Sequence, residues 1–248
     1  MLFDSSLLKT LRQANALTLF LDFDGTLVDF CDDPDQVVLP KSTYELLQKL
    51  VNRRGYELII ITGRDRDYMA RTFSNLPITI YAEHGACVSH SRQSSWLSLV
   101  DDKTNWLEQS CTALKAIAKQ FKGAWLELKP HSLCLHYRNS TMSPVDAKQL
   151  IHTFDKDTRF SHLDFMDAYN HIDCRLKSVS KANAIHDYFK SQSNDLCLAV
   201  GDDVTDIAMF DAVKHYDGYT FAVGDRIQQC DYRLGSVSAV TAFLNQLI

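Results

Sequence analysis

The stretch "LTLFLDFDGTLVDF", residues 17–30, sets an apolar run, Leu17–Leu21, directly against two aspartates two apart, Asp22 and Asp24, and then a Gly-Thr. A buried strand excludes carboxylates, because a charge taken out of water is costly unless something pairs with it. Acids at the end of such a run either mark a polar turn or do chemistry. Taken alone, D-x-D-G-T fits a turn as well as a catalytic site. The surrounding sequence has to decide.

Four further apolar runs end the same way: "YELIIITGRD" (56–65), "ITIYAEHGA" (78–86), "LCLAVGDD" (196–203) and "YTFAVGD" (219–225). Between the first two strands lies "STYELLQKLVNRRG", in which Leu46, Leu47, Leu50 and Val51 recur at helical spacing before Gly55. Continuous apolar strands alternating with amphipathic helices predict a parallel sheet covered on both faces. Such sheets bind ligands beyond the carboxyl ends of their strands. Here those ends carry Asp22, Asp24, Thr62, Glu83 and Asp202. His84, beside them, is expected to have a packing role.

The middle of the chain is too long for one crossover. Residues 103–122 show a helical stripe (Leu107, Cys111, Leu114, Ala118, Phe121), followed by strand-like "AWLELK" and "SLCLHYR" around Pro130-His131. "SPVDAKQLIHTFDKD" then offers Ser143 as an N-cap with Pro144 at the first helical position. It leads to "LDFMDA" and "HIDCRLK" around Tyr169-Asn170. The expected fold is therefore α/β: a Rossmann-like parallel sheet core with an inserted αββαββ cap domain. The expected boundaries are 1–100 and 180–248 for the two parts of the core and 101–179 for the cap.

A strand-end carboxylate suits nucleophilic attack on phosphorus. Asp22 would form a phosphoaspartate, splitting a difficult hydrolysis into two easier steps. Asp24 could protonate the departing alcohol and later take a proton from water. A carboxylate approaching a phosphate dianion needs positive charge nearby, and Mg²⁺ held by carboxylates is suited to supply it. "GDDVTD" at 201–206 offers those carboxylates. Thr62, with Gly63 and Arg64 in "ITGR", could hold phosphate oxygens through a hydroxyl and amides. Lys181, opening a helical pattern in "SVSKANAI", could neutralise charge in the transition state.

In the insert, Glu127 and Lys129 are two apart and so share a strand face. A two-residue turn at Pro130-His131 sets Lys129 opposite Ser132, which puts His136 and Arg138 on that face too. A three-residue turn would reverse it. A face bearing an acid, a lysine and an arginine suits sugar hydroxyls. Trp96, Trp106 and Trp125 are expected to be cap core, although Trp125 shares the Glu127 face.

The totals narrow the field. The formal net charge of −5 over 248 residues, with no basic run, argues against a nucleic-acid binder. Seven cysteines without a C-x-x-C pair are expected to be reduced thiols in a cytoplasmic protein. "MLFDSSLLKTLRQAN" lacks the order of a signal peptide, and no apolar run reaches membrane-spanning length. No membrane partner is expected, and the chain is expected to act as a monomer on a small molecule.

"DFDGT", "TGR", the lysine and "GDDVTD" stand in the order of the four motifs of the haloacid dehalogenase superfamily, which the chain resembles. The gap between the second and third motifs resembles members with a C2-type cap. "FLDFDGTLVDFCDDPDQVVLP", "EHGA", "ELKPHSLCLHYR" and "GDDVTDIAMF" resemble the trehalose-6-phosphate phosphatase family of the bacterial stand-alone type, over nearly the whole chain. The resemblance implies Mg²⁺ as cofactor, Asp22 as nucleophile and Asp24 as general acid/base. It implies Asp22, the Asp24 carbonyl and Asp202 as metal ligands, supported by Asp203 and Asp206. Thr62 and Lys181 then hold phosphate, and Glu127, Lys129, Arg138 and Asp173 read the sugar. The resemblance also implies that no glycosyltransferase domain is attached and that the cap closes on hinges near 98–102 and 178–181. Three positions depart from the family's pattern: Ile207 for glutamate, Ala182 for glycine, and Asp173 for glutamate. The rival readings are a phosphatase or mutase for another sugar phosphate, and a sugar-phosphate sensor without turnover. Retention of both Asp22 and Asp24 argues against the sensor, since binding needs no nucleophile.

Overall fold

The computed structural model describes residues 5–31, 36–91, 95–100, 105–168, 170–192 and 196–248. The chain opens with α1 (Ser5–Gln13), β1 (Leu17–Leu21), α2 (Lys41–Val51), β2 (Tyr56–Ile61), α3 (Arg66–Thr72), β3 (Thr79–Ala82), β4 (Cys87–Ser89) and β5 (Leu97–Ser98). Then come α4 (Trp106–Ala118), β6 (Trp125–Leu128), β7 (Leu133–His136), α5 (Pro144–Lys156), β8 (Leu163–Ala168) and β9 (His171–Leu176). The last stretch holds α6 (Lys181–Phe189), β10 (Cys197–Gly201), α7 (Ile207–His215), β11 (Tyr219–Val223), β12 (Tyr232–Leu234) and α8 (Val237–Gln246). The chain divides into two compact units: Met1–Leu99 with Ser180–Ile248, and Val100–Val179.

The first unit is built on an eight-stranded sheet in the order β12-β11-β10-β1-β2-β3-β4-β5. Strand β1 is buried along its whole length and lies parallel to both β10 and β2, with Leu19 opposite Leu198 on one side and Leu58 on the other. Alternate residues feed opposite faces. Leu17, Leu19 and Leu21 pack with Leu46, Leu47 and Leu50 of α2, while Phe20 packs with Ile185 of α6 and Met209 of α7. Helices on both sides explain why these strands read as unbroken apolar runs. The parallel pairing runs from β12 to β3, and β4 and β5 extend it antiparallel. The expected parallel sheet is present, and the two antiparallel strands at its edge are an addition the sequence reading did not include. Only a tight turn separates β3 from β4, too short for the crossover a parallel neighbour requires.

The second unit follows the expected αββαββ order, with an antiparallel sheet ordered β6-β7-β9-β8. Helix α5 begins as its sequence predicts. The Ser143 hydroxyl accepts from the Asp146 amide, and the Asp146 carboxylate accepts from the Ser143 amide, the reciprocal arrangement of a capping box. Leu133, Leu135, Phe165 and Ile172 turn one sheet face to Leu114 and Phe154 from the helices. Trp106 is buried in that core, whereas Trp96 packs in the first unit. Trp125 is 51% exposed, a correction to its expected core role. It stands on the polar face of the sheet because it alternates with the inward-facing Leu126. All seven cysteines are free thiols. Among the described residues no helix is long and apolar enough to cross a membrane.

Candidate active site

Asp22 follows β1 directly, and its amide donates to the Val200 carbonyl at 3.0 Å, which ties it to the neighbouring strand β10. The Lys181 ammonium, only 2% exposed, lies 2.7 Å from Asp22 Oδ1 and 2.6 Å from Asp206 Oδ1. Lys181 opens α6, whose first turn is fixed by the Ser180 hydroxyl accepting from the Asn183 amide. Asp206 Oδ2 accepts from the amides of Asp202 and Asp203, at 3.0 and 3.1 Å. Asp206 is therefore the hub that fixes both the lysine and the turn carrying Asp202. Sequence reasoning gave it only a supporting place. The signal was its position three and four residues after the two acids of "GDD", where its carboxylate can reach back to their amides.

Asp22, Asp202 and Asp206 bring carboxylate oxygens within 4.8 Å of one another, all buried. Burial first, and then the charge of Asp206, push the Asp22 carboxyl well above its usual range, against the pull of Lys181. Burial and the repulsion of Asp22 do the same to Asp202. Burial alone would lower Lys181, but Asp206 and Asp22 outweigh it and keep the ammonium charged. Three carboxylates face one ammonium, an excess of buried negative charge.

The Asp202 side chain also has a buried Oδ1 without a hydrogen-bond partner. Asp206, by contrast, accepts three bonds, and Asp203 is occupied by the Val204 amide at 2.7 Å and by Arg226 at 3.0 Å. An all-oxygen donor set with a spare carboxylate oxygen and unbalanced negative charge fits a hard divalent cation such as Mg²⁺.

Asp24 lies in the turn after β1. Its carboxylate is gripped by Arg64, with Nε 2.8 Å from Oδ2 and an Nη 2.6 Å from Oδ1. The guanidinium of Arg64 also lies 4.5 Å from the centre of the Tyr68 ring. Arg64, expected to face substrate, thus holds Asp24 in a two-pronged ion pair. Gly25 adopts φ +73, and a Cβ there would sit 2.4 Å from the Asp202 carboxyl carbon. The glycine provides both a left-handed turn and room for Asp202. Thr62 is buried at the end of β2, with its hydroxyl accepting from the Arg64 amide at 3.1 Å. Gly63 leaves space for His84, whose Nε2 would lie 2.6 Å from a Cβ. Glu83 and His84 both take positive φ, 49° and 58°, beside this strand end. The His84 amide donates to the Thr62 carbonyl at 2.7 Å, in keeping with a packing role.

In the cap sheet, Lys129 donates its amide to the Ser132 carbonyl at 2.9 Å, and Trp125 stands opposite His136. The two-residue turn at Pro130-His131 is therefore real, and Glu127, Lys129 and His136 share a face. Arg138 lies past the end of β7, in a turn. Glu127 is 2.8 Å from His136 Nε2 and 3.8 Å from the Lys129 ammonium. Burial would raise its carboxyl, but the His136 hydrogen bond and the Lys129 charge outweigh that and bring it below its usual value. Asp173, buried in β9, joins this face through its pairing with Cys134. Trp125 stacks on the His136 ring with centroids 4.1 Å apart, a flat aromatic surface that sequence reasoning only suspected.

The family model described as trehalose-phosphatase matches residues 20–244. The chain belongs to this family. A trehalose-phosphatase relative, the probable trehalose-phosphate phosphatase of Sinorhizobium fredii, is 28% identical over 230 residues, covering 90% of this chain and 83% of that protein. The bifunctional trehalose-6-phosphate synthase/phosphatase of Thermoproteus tenax is 27% identical over 237 residues, covering 95% of this chain. The chain spans only 32% of that relative and 31% of a Dictyostelium discoideum trehalose-phosphate synthase. The C-terminal domain of the C. albicans trehalose-6-phosphate phosphatase has the same fold, at a TM-score of 0.89 and 21% identity, covering 98% of this chain and 95% of that one. Within the trehalose-phosphatase family pattern, two departures are absorbed by packing. Ile207 and Ala182 lie half-buried against the apolar cluster between the sheet and helices α6 and α7.

Proposed function

We propose that the chain is a Mg²⁺-dependent phosphoric monoester hydrolase that converts trehalose 6-phosphate to trehalose and phosphate through a phosphoaspartate on Asp22. The observation that carries the reading is the buried Asp22–Lys181–Asp206 array beside the unpartnered Asp202 Oδ1. A sugar-binding module has no need of a nucleophile held on a charged lysine inside an acid cluster.

Asp22, the Asp24 carbonyl and Asp202 would hold the cation, which when bound offsets the charge of the phosphate and of the acids around it. With Oδ1 fixed by Lys181, Asp22 presents Oδ2 to phosphorus. A bond forms from Oδ2 to phosphorus, and the bond from phosphorus to the sugar oxygen breaks. Asp24, once released from Arg64 and carrying a proton taken from solvent, gives that proton to the sugar oxygen, and trehalose leaves. Water then attacks the phosphoaspartate and passes a proton to Asp24, and phosphate departs. The Thr62 hydroxyl, oriented by the bond it accepts from the Arg64 amide, and the Gly63 amide steady the phosphoryl oxygens, while Lys181 balances their charge. Glu127, Lys129, Arg138 and Asp173 read the disaccharide. The seven free thiols support a reducing cytoplasmic setting, in which the chain acts as a monomer.

The test is phosphate release from trehalose, glucose, mannose and sucrose 6-phosphates, with Mg²⁺ and with a chelator. A Mg²⁺-dependent preference for the trehalose ester is expected. Broad activity would retain the chemistry and refute the sugar assignment. Folded, metal-loaded protein that hydrolyses none of these esters would refute the enzyme reading.

A further inference from the structure

The polar face of the cap sheet carries a second constellation that phosphoryl transfer does not use. Strand register sets its residues in rows. Glu127, Cys134 and Asp173 stand abreast across β6, β7 and β9, and Trp125, His136 and His171 form the next row. Residues directly opposite in an antiparallel sheet bring their side chains together on one face. The donor atoms of Cys134, His171 and Asp173 lie within 4.8 Å of one another, and so do those of Glu127, Cys134 and His136. His171 Nε2 is 3.6 Å from Asp173 Oδ2, and the two histidine rings are 5.6 Å apart. Zinc takes nitrogen and oxygen at about 2.0–2.2 Å and sulfur at about 2.3 Å in a tetrahedron, so neighbouring donors sit about 3.3–3.7 Å apart. The His171–Asp173 spacing already meets that requirement.

We propose that this face binds a borderline-soft divalent cation of the Zn²⁺ class, with Cys134, His171 and Asp173 as its central ligands and Glu127 and His136 flanking them. The donor chemistry separates it from the core site. Thiolate and imidazole select zinc or cobalt, whereas the all-oxygen acid cluster of the core suits Mg²⁺. Without metal the Cys134 thiol keeps its proton, because it is buried and lies beside the Asp173 and Glu127 charges. Ligation releases that proton to solvent. The cations on this face sit one row away. Lys129 leans on Glu127 at 3.8 Å, and Arg175 reaches Asp164 at 3.4 Å.

Glu127 and Asp173 are also residues proposed above to read the sugar. Cation and disaccharide therefore exclude each other, a corollary that rests on that reading while the binding site itself does not. The test titrates Co²⁺ into the full chain with Mg²⁺ saturating. A one-to-one thiolate-to-cobalt absorption band in the near ultraviolet is expected. It should disappear in Cys134→Ser, which retains the other six thiols, and its affinity should fall more than about tenfold in His171→Ala, the loss typical of a removed metal contact. A band surviving Cys134→Ser, or a His171→Ala affinity equal to that of the parent, overturns the site. In kinetics, Zn²⁺ should raise KM for the trehalose ester and leave p-nitrophenyl phosphate hydrolysis unchanged. A thiolate band without that rise in KM keeps the cation site and overturns the sugar assignment of Glu127 and Asp173. Equal loss on both esters without a band places the effect in the core and overturns the proposal.

Discussion

Asp206→Asn is nearly isosteric, yet the geometry leaves it no harmless orientation. The carboxylate accepts from Lys181 through Oδ1 at 2.6 Å and from two backbone amides through Oδ2 at 3.0 and 3.1 Å. Asparagine has one acceptor oxygen and one donor nitrogen. If the oxygen faces the amides, the NH₂ meets the ammonium and one charge-assisted bond is lost, worth about 1.5–3 kcal/mol. If the oxygen faces Lys181, two buried amides lose their acceptor, at about 1–3 kcal/mol each. The first arrangement costs less, and removing the repulsion between Asp206 and Asp22 offsets part of it. The expected destabilisation is about 2 kcal/mol, read from urea unfolding followed by circular dichroism in the presence of a chelator. The double variant Lys181→Met/Asp206→Asn should be no less stable than Lys181→Met alone, because the asparagine then faces no ammonium. An unshifted midpoint for Asp206→Asn, or strictly additive losses in the double variant, would refute the hub assignment.

Asp22→Asn should abolish phosphate release and leave no acid-stable phosphoenzyme, and substantial residual turnover would remove Asp22 as nucleophile. Gly25→Ala should raise the half-saturating Mg²⁺ more than about tenfold, as for a disturbed metal ligand, because its Cβ would meet the Asp202 carboxylate; an unchanged Mg²⁺ titration would show that Asp202 is not a ligand. Glu127→Ala should lower kcat/KM for trehalose 6-phosphate by about tenfold or more, the loss of a charged hydrogen-bond partner, while a small generic ester is unaffected; equal losses would detach the cap face from recognition. Leu114→Ala in the cap core should cost about 2–5 kcal/mol, seen as earlier unfolding by Trp106 fluorescence, and an unshifted transition would contradict its burial.

Five strands of the core sheet, β1, β2, β3, β10 and β11, were legible because each is an apolar run with a polar residue at or just past its end, the pattern that burial on both faces produces. The Pro130-His131 turn was legible because its length alone decides which side chains share a face. Other contacts depended on pairings that no local pattern encodes. Cys134 meets Asp173 only because β9 pairs with β7 after an intervening helix and strand, and His171 arrives with it. The Arg64–Asp24 ion pair joins two strand ends forty residues apart, and either side chain alone looks free to meet substrate. Trp125 was expected inside because tryptophan is large and apolar, but its strand alternation places Leu126 inward instead. The β4–β5 edge is too short to show a period.

The position of β1 in the sheet has a consequence for how the chain comes to be folded. One neighbour, β2, follows after some thirty-five residues, but the other, β10, lies beyond the whole insert. During synthesis Leu17–Leu21 must wait with one backbone edge unpaired while the Val100–Val179 unit, which has its own apolar core, is made. Long-range parallel pairing is slow for the same entropic reason. The acid cluster cannot assemble before that last pairing, since Asp22 comes from one side of the gap and Lys181, Asp202 and Asp206 from the other. The bare edge of an apolar strand is a target for other chains, so the nascent protein is most exposed to aggregation just before it acquires its chemistry.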